Sequence, residues 1–289
     1  MNPAKILAFV FLVSLTFGVG LQANREHLKA ILHDYGLLGR ALLANVIIVP
    51  LLGVLLAKWL HLPGPVATGF LLMAIAPGIP FILVQVRKRG GSLGLAITLE
   101  ILLPLISIAT VPITAALVLP TRASAALPMG RFVVTLLFSQ LLPLLAGIVV
   151  GALAPDSVAR LLRPIRIVAV VTVLALVVLL IPKFTASITA VYGSNGMWAG
   201  LCLVVLSLVV GWALGGPVRE DRRVLAFGTA LRNIGLCALI ATSSFGTPLV
   251  AATVLTYFLI QFVTTTIVGV YFKRTANVLK EPGQTRKAA

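Results

Sequence analysis

The sequence predicts an all-α polytopic membrane protein of about nine transmembrane helices, and three observations carry that reading. Hydrophobic residues make up 60% of the 289 positions and charged residues 10%, against about 25% charged in a soluble domain. Apolar runs recur along the chain, most of them near the ~20 residues needed to cross some 30 Å of hydrocarbon. Basic residues gather in alternate breaks between those runs.

Cutting the chain at charged and Pro/Gly-rich breaks gives spans at 5–22, 38–59, 65–86, 92–119, 131–154, 166–182, 196–215, 224–245 and 249–272. The first competes with a signal peptide, but Phe17-Gly18-Val19-Gly20-Leu21 closes it without a small-x-small cleavage pattern, so it reads as a retained span. The connection at 23–37, with Arg25, Glu26, His27, Lys29, His33 and Asp34, reads as an amphipathic segment at the interface. Residues 1–272 form one transmembrane domain, and 273–289 are a polar tail.

Cytoplasmic loops hold the excess of Lys and Arg. On alternate sides of the nine spans, one side carries seventeen basic residues and the other five, Lys5, Lys58, Arg122, Arg131 and Lys183; only Arg232 falls inside a span. That asymmetry places the N-terminus outside and the C-terminus in the cytoplasm, in a plasma membrane read as the bacterial inner membrane. It also explains the net charge of +16 without nucleic acid, because the basic residues form no patch interleaved with aromatics.

Soluble chemistry is not indicated. Cys202 and Cys237 lie inside apolar runs, so the sequence offers no disulfide framework and no CxxC site. There is no phosphate loop, metal cluster or nucleophile elbow, and His27, His33 and His61 fall in loops, so neither an enzyme nor a cofactor is expected.

Two spans break the helix rules. The third holds Ala76-Pro77-Gly78-Ile79-Pro80, and the eighth holds Arg232-Asn233-Ile234-Gly235 with Gly228 one turn earlier. Broken spans are tolerated where the freed backbone lines a cavity or is buried in protein, and a corresponding pair of them points to a transporter's binding site. The plainer alternative is a proline kink that shapes packing. Glu100 and Arg232 are the one acid and one base within spans. Charge at that depth is costly, so the two are expected to approach each other, either as a static ion pair or in ion coupling. Of the other polar residues within spans, Asn45, Gln140, Asn233 and Gln261 have amides suited to a polar cavity.

These residues resemble the bile acid:sodium symporter family. Ala-Pro-Gly in a broken span, the basic turn ending Arg89-Gly90-Gly91, and a span closing at Val111-Pro112 are similar to it, as are Phe227 to Gly235, Asn45 before Pro50, and Phe17 to Leu21. The resemblance implies two inverted repeats, about 1–120 and 131–272 with the first lacking one helix, a panel and a core domain, and two crossing broken helices. The family's sodium ligands would fall on Ile82, Leu83, Ala96, Glu100, Gly228 and Arg232. Most of those positions here lack a ligand, while an acid and a fixed cation have appeared among them. Because an Arg guanidinium is permanently charged, it can replace the charge of a bound sodium. Gly78 stands where the related arsenite carriers have a Cys, which disfavours arsenite.

The expectation is therefore a secondary transporter of a small or amphipathic organic anion, with degenerate sodium sites and sodium-independent or proton-linked transport. Asn233 and Arg232, with Asn45 and Gln140, would meet substrate. Glu100 and Arg232 would form the charge pair, and Pro77, Gly78, Pro80, Gly228 and Gly235 would shape the breaks. A receptor or scaffold of the same fold, or a channel, is the rival.

Overall fold

A computed structural model of the chain describes residues 3–23, 35–78, 86, 90–120, 123, 129–245 and 247–278. Its principal elements are ten helices: α1 (Pro3–Gln22), α2 (Tyr35–Trp59), α3 (Gly64–Ile75), α4 (Leu93–Val118), α5 (129–153), α6 (Val158–Gly193), α7 (Gly196–Leu214), α8 (Arg219–Ala230), α9 (Ile234–Ser244) and α10 (Pro248–Val278). Among the described residues seven helices, α1, α2, α4, α5, α6, α7 and α10, are long and apolar enough to cross a membrane. The shorter α3 and α9 lie in the two stretches expected to be interrupted spans. Large apolar side chains such as Leu51, Leu55 and Trp59 on α2 and Val171, Leu174 and Val178 on α6 are exposed, as a lipid-facing surface requires.

Packing rests on small residues, because lipid tails are as apolar as Leu and burial alone gives helices little reason to associate. α1 lies along α5 and α6. A Cβ added to Gly20 would stand 2.9 Å from Gly147 Cα and collide with the Leu144 carbonyl, so the α1 and α5 backbones touch. α7 lies on α8 in the same manner, with Gly211 against Ala226 Cα. α10 packs on α3, α6 and α7, and α1 reaches across to α9.

Several expected boundaries move. α6 runs from Val158 to Gly193 where 166–182 was expected. Its N-terminal part carries Arg160, Arg163 and Arg166, long side chains of the kind that extend from a helix toward the polar interface. Likewise α8 begins at Arg219, not 224, which takes Arg223 into the helix. That side chain is buried, donates from Nη1 to the Gly90 carbonyl at 3.1 Å, and sits over the Phe272 ring. The interfacial segment expected at 23–37 falls mostly outside the described residues, and α2 already begins at Tyr35.

Candidate functional site at the crossing of two broken spans

The site begins with two slipped helices. In α2 the ladder loosens to a π-helical stretch at Leu43–Ile48, and Val49 N–H bonds the Ala44 carbonyl, five residues back. Continuing that register, Pro50 would bond the Asn45 carbonyl, but proline has no N–H. The Asn45 carbonyl is thereby released from its helix. In α5 a second π-helical stretch, Leu137–Leu141, precedes Pro143, and the Ser139 carbonyl accepts from Thr16 Oγ1 of α1 at 3.2 Å. Each π stretch carries one of the expected amides, Asn45 and Gln140, and both are fully buried. Single-turn π stretches concentrate at functional sites.

The breaks come next. α3 stops at Ile75 before Ala76-Pro77-Gly78, α8 stops at Ala230 before Leu231-Arg232-Asn233, and α9 restarts at Ile234. The two breaks cross: Pro77 and Arg232 pair as a short antiparallel bridge, and Asn233 N–H donates to the Ala76 carbonyl at 3.2 Å. Gln261 of α10 serves the break's backbone, its Oε1 accepting from Arg232 N–H at 2.8 Å and its Nε2 donating to the Arg232 carbonyl at 3.5 Å. Asn233 caps α9, its Oδ1 accepting from Leu236 N–H at 3.0 Å. Gly78 is required by proximity, because a Cβ there would stand 2.9 Å from Asn233 Cβ. Gly235 lets Phe11 of α1 approach, and Gly228 lies buried in the last turn of α8. Pro80, Ile82 and Leu83 lie outside the described residues.

Arg232 is the centre of the crossing and is fully buried. Its Nη1 donates to Asn45 Oδ1 at 3.0 Å, and its Nη2 donates to the released Asn45 carbonyl at 3.4 Å and to the Ala74 carbonyl. Ala74 belongs to the last turn of α3, whose carbonyls have no helical donor and carry the negative end of the helix dipole. Cys237 Sγ meets another of these late carbonyls, Leu72, at 3.3 Å. The cation is therefore held in a cage of neutral oxygens.

Glu100 is the residue expected to pair with Arg232. Among the described residues the guanidinium's partners are Asn45 and Ala74. Glu100, buried on α4, lines a small pocket with Pro104, with Leu12, Leu15, Thr16 and Val19 of α1, and with Asn233. The guanidinium reaches back to carbonyls freed by the π stretch and by the end of α3, and Asn233, the next residue, meets the pocket that Glu100 shares.

The structure thus brings Asn45 to Arg232 and Gln140 to Asn233, whose Nδ2 donates to Gln140 Oε1 at 3.2 Å. Thr16 of the pocket, the Ala74 carbonyl and the buried Arg223 were not singled out from sequence. Pro50 was a usable signal for the Asn45 carbonyl. A backbone acceptor such as Ala74, four residues before an internal Gly, carries no side-chain signature.

Comparison with known proteins agrees with this architecture. A Bacillus subtilis (strain 168) protein named "Uncharacterized sodium-dependent transporter YocS" is 25% identical, over 82% of this chain and 74% of its own. The family model described as "Sodium Bile acid symporter family" matches residues 9–190, and with seven membrane-length helices and two interrupted spans behind that match, the chain belongs to this family of transporters.

Proposed function

We propose that this membrane transporter carries a small or amphipathic organic anion by a sodium-independent route, with Arg232 as a fixed cation at the crossing. The observation that carries the reading is the cage around Arg232: a full positive charge, buried and held by the neutral oxygens of Asn45 and Ala74. A charge in such surroundings projects a strong field, because screening is weak at low effective dielectric. An anionic group arriving beside Asn233 is attracted to it. A permanently bound guanidinium also removes the need for a mobile cation at that position. The name of the Bacillus relative includes sodium dependence, which is a property stated of that protein.

Asn233 is the substrate's principal polar contact, with Gln140 and Asn45 as the surrounding amides. Glu100 is the proton carrier, since it lines the same pocket as Asn233. The helices α1, α5 and α6 form the panel, and the remaining helices the core, of inverted repeats at about 1–120 and 131–272. The N-terminus is outside and the C-terminus is cytoplasmic, in a bacterial inner membrane.

The test is uptake of radiolabelled cholate into proteoliposomes holding the purified protein. Saturable uptake and counterflow should persist when sodium is replaced by potassium or choline. Millimolar, saturable dependence on sodium would overturn the fixed-cation reading. Absence of counterflow with cholate and other organic anions would favour a receptor or scaffold, and flux without saturation a channel.

A further inference from the structure

The two ends of the Asn233 amide have different freedom. Oδ1 is committed to Leu236 N–H as the N-cap of α9, at 3.0 Å, a bond whose loss destabilises the start of a helix. Only Nδ2 is left for recognition, so whatever Asn233 receives must present a hydrogen-bond acceptor. In this structure that acceptor is Gln140 Oε1, at 3.2 Å. The same logic orients Gln140: with Oε1 turned to Asn233, its Nε2 is buried and finds no acceptor among the described residues. A buried amide donor without a partner is costly. Gln140 therefore sits in this position at some expense.

The bond also joins α5 to the crossing of the broken spans. Gln140 stands in the π-helical stretch of α5, which is anchored to α1 by the close Gly20–Gly147 approach and by Thr16 at the neighbouring Ser139 carbonyl. Asn233 belongs to the crossing. The pocket lined by Leu15, Thr16, Glu100 and Asn233 lies between those parts.

We propose that Gln140 is a latch and the substrate's stand-in: its side-chain oxygen holds Asn233 Nδ2 in the empty protein, and an acceptor oxygen on the substrate takes that donor over. Displacement frees α5 from the broken span, so binding and opening become one event. A ligand shifts such an equilibrium only through its differential affinity for the two states, and the displaced bond supplies that difference. The proposal rests on the reading that Asn233 receives substrate. It specifies the substrate's recognised group as an acceptor, a carboxylate, sulfonate or carbonyl.

The experiment uses Leu15→Cys in full-length protein with Cys202 and Cys237 replaced by Ser and Ala, and follows its reaction with N-ethylmaleimide. Gln140→Met keeps the side chain's bulk and removes the acceptor, so labelling should accelerate at least tenfold. Gln140→Glu retains an acceptor oxygen and should stay slow. Asn233→Leu should accelerate labelling as Gln140→Met does, and the double variant should go no further. Equal rates in parent and Gln140→Met, or multiplying effects in the double variant, would overturn the latch. Should Gln140→Met fail to fold, hydrogen–deuterium exchange across Leu137–Leu141 of the parent serves instead: saturating cholate should speed it, and unchanged exchange with bound cholate overturns the proposal. Cholate binding is scored separately by thermal shift, so its failure counts against the organic-anion reading, while the cysteine rates still decide the latch.

Discussion

At the scale of single residues, Arg232 and Asn45 depend on each other. The guanidinium meets both the side-chain oxygen and the carbonyl of Asn45, and a hydrogen bond to a charged group contributes about 1.5–3 kcal/mol. Arg232→Gln and Asn45→Leu should each lower stability in micelle unfolding, and a double-mutant cycle should return a coupling of roughly 0.5–3 kcal/mol. The same cycle between Arg232→Gln and Glu100→Gln should return a smaller coupling, because the guanidinium's hydrogen bonds described here go to Asn45 and Ala74. Coupling strongest with Glu100 would mean that the charges pair directly. Gly78→Ala tests the crossing from its other side. The new Cβ would stand 2.9 Å from Asn233 Cβ, and overpacking of this kind costs about 1–3 kcal/mol. Transport should fall more than stability, since the displaced residue is the proposed substrate contact; unaltered uptake would remove Asn233 from the site.

Among elements, the π stretches of α2 and α5 are what turn ordinary spans into donors and acceptors at the crossing. Pro50 matters because it lacks an N–H where the slipped ladder would claim the Asn45 carbonyl. Pro50→Ala restores that donor. The carbonyl should return to its own helix, α2 should regain a ladder bond, and Arg232 should lose one acceptor. The expected outcome is an equal or higher melting temperature with reduced cholate uptake. A variant with the parent's uptake would show that the released carbonyl is incidental to function.

For the molecule as a whole, the turns sort into two sets consistent with the charge asymmetry. Gln22 Oε1 accepts from Arg166 Nη2 at 3.0 Å, Arg223 reaches Gly90, and Arg222 Nε donates to the Gly216 carbonyl; these belong to the basic set. Asn195 faces the Leu60 carbonyl in the other set. Ser157 and Ser194 lie at opposite ends of α6. In intact cells a cysteine at Ser194 should react with a membrane-impermeant thiol reagent, and one at Ser157 should react only after permeabilisation. The reverse pattern would invert the proposed orientation.

Hydropathy and breaker residues are local properties, and what depends on them alone was legible in the sequence: the helical membrane class and an interruption in each of the third and eighth spans, read at Ala76–Pro80 and Arg232–Gly235, of which the second begins one residue earlier and ends at Asn233 in the structure. The tertiary structure decided how those parts are partnered. A cation within a span invited pairing with Glu100, and an arginine is also satisfied by carbonyl oxygens, of which every residue has one. Which carbonyls are free follows from where a helix slips, where a proline removes a donor and which two breaks cross. Those events joined Arg232 to Asn45 and Ala74, left Glu100 in Asn233's pocket and set Gln140 against Asn233, because contacts across 93 to 187 residues of chain are fixed by packing.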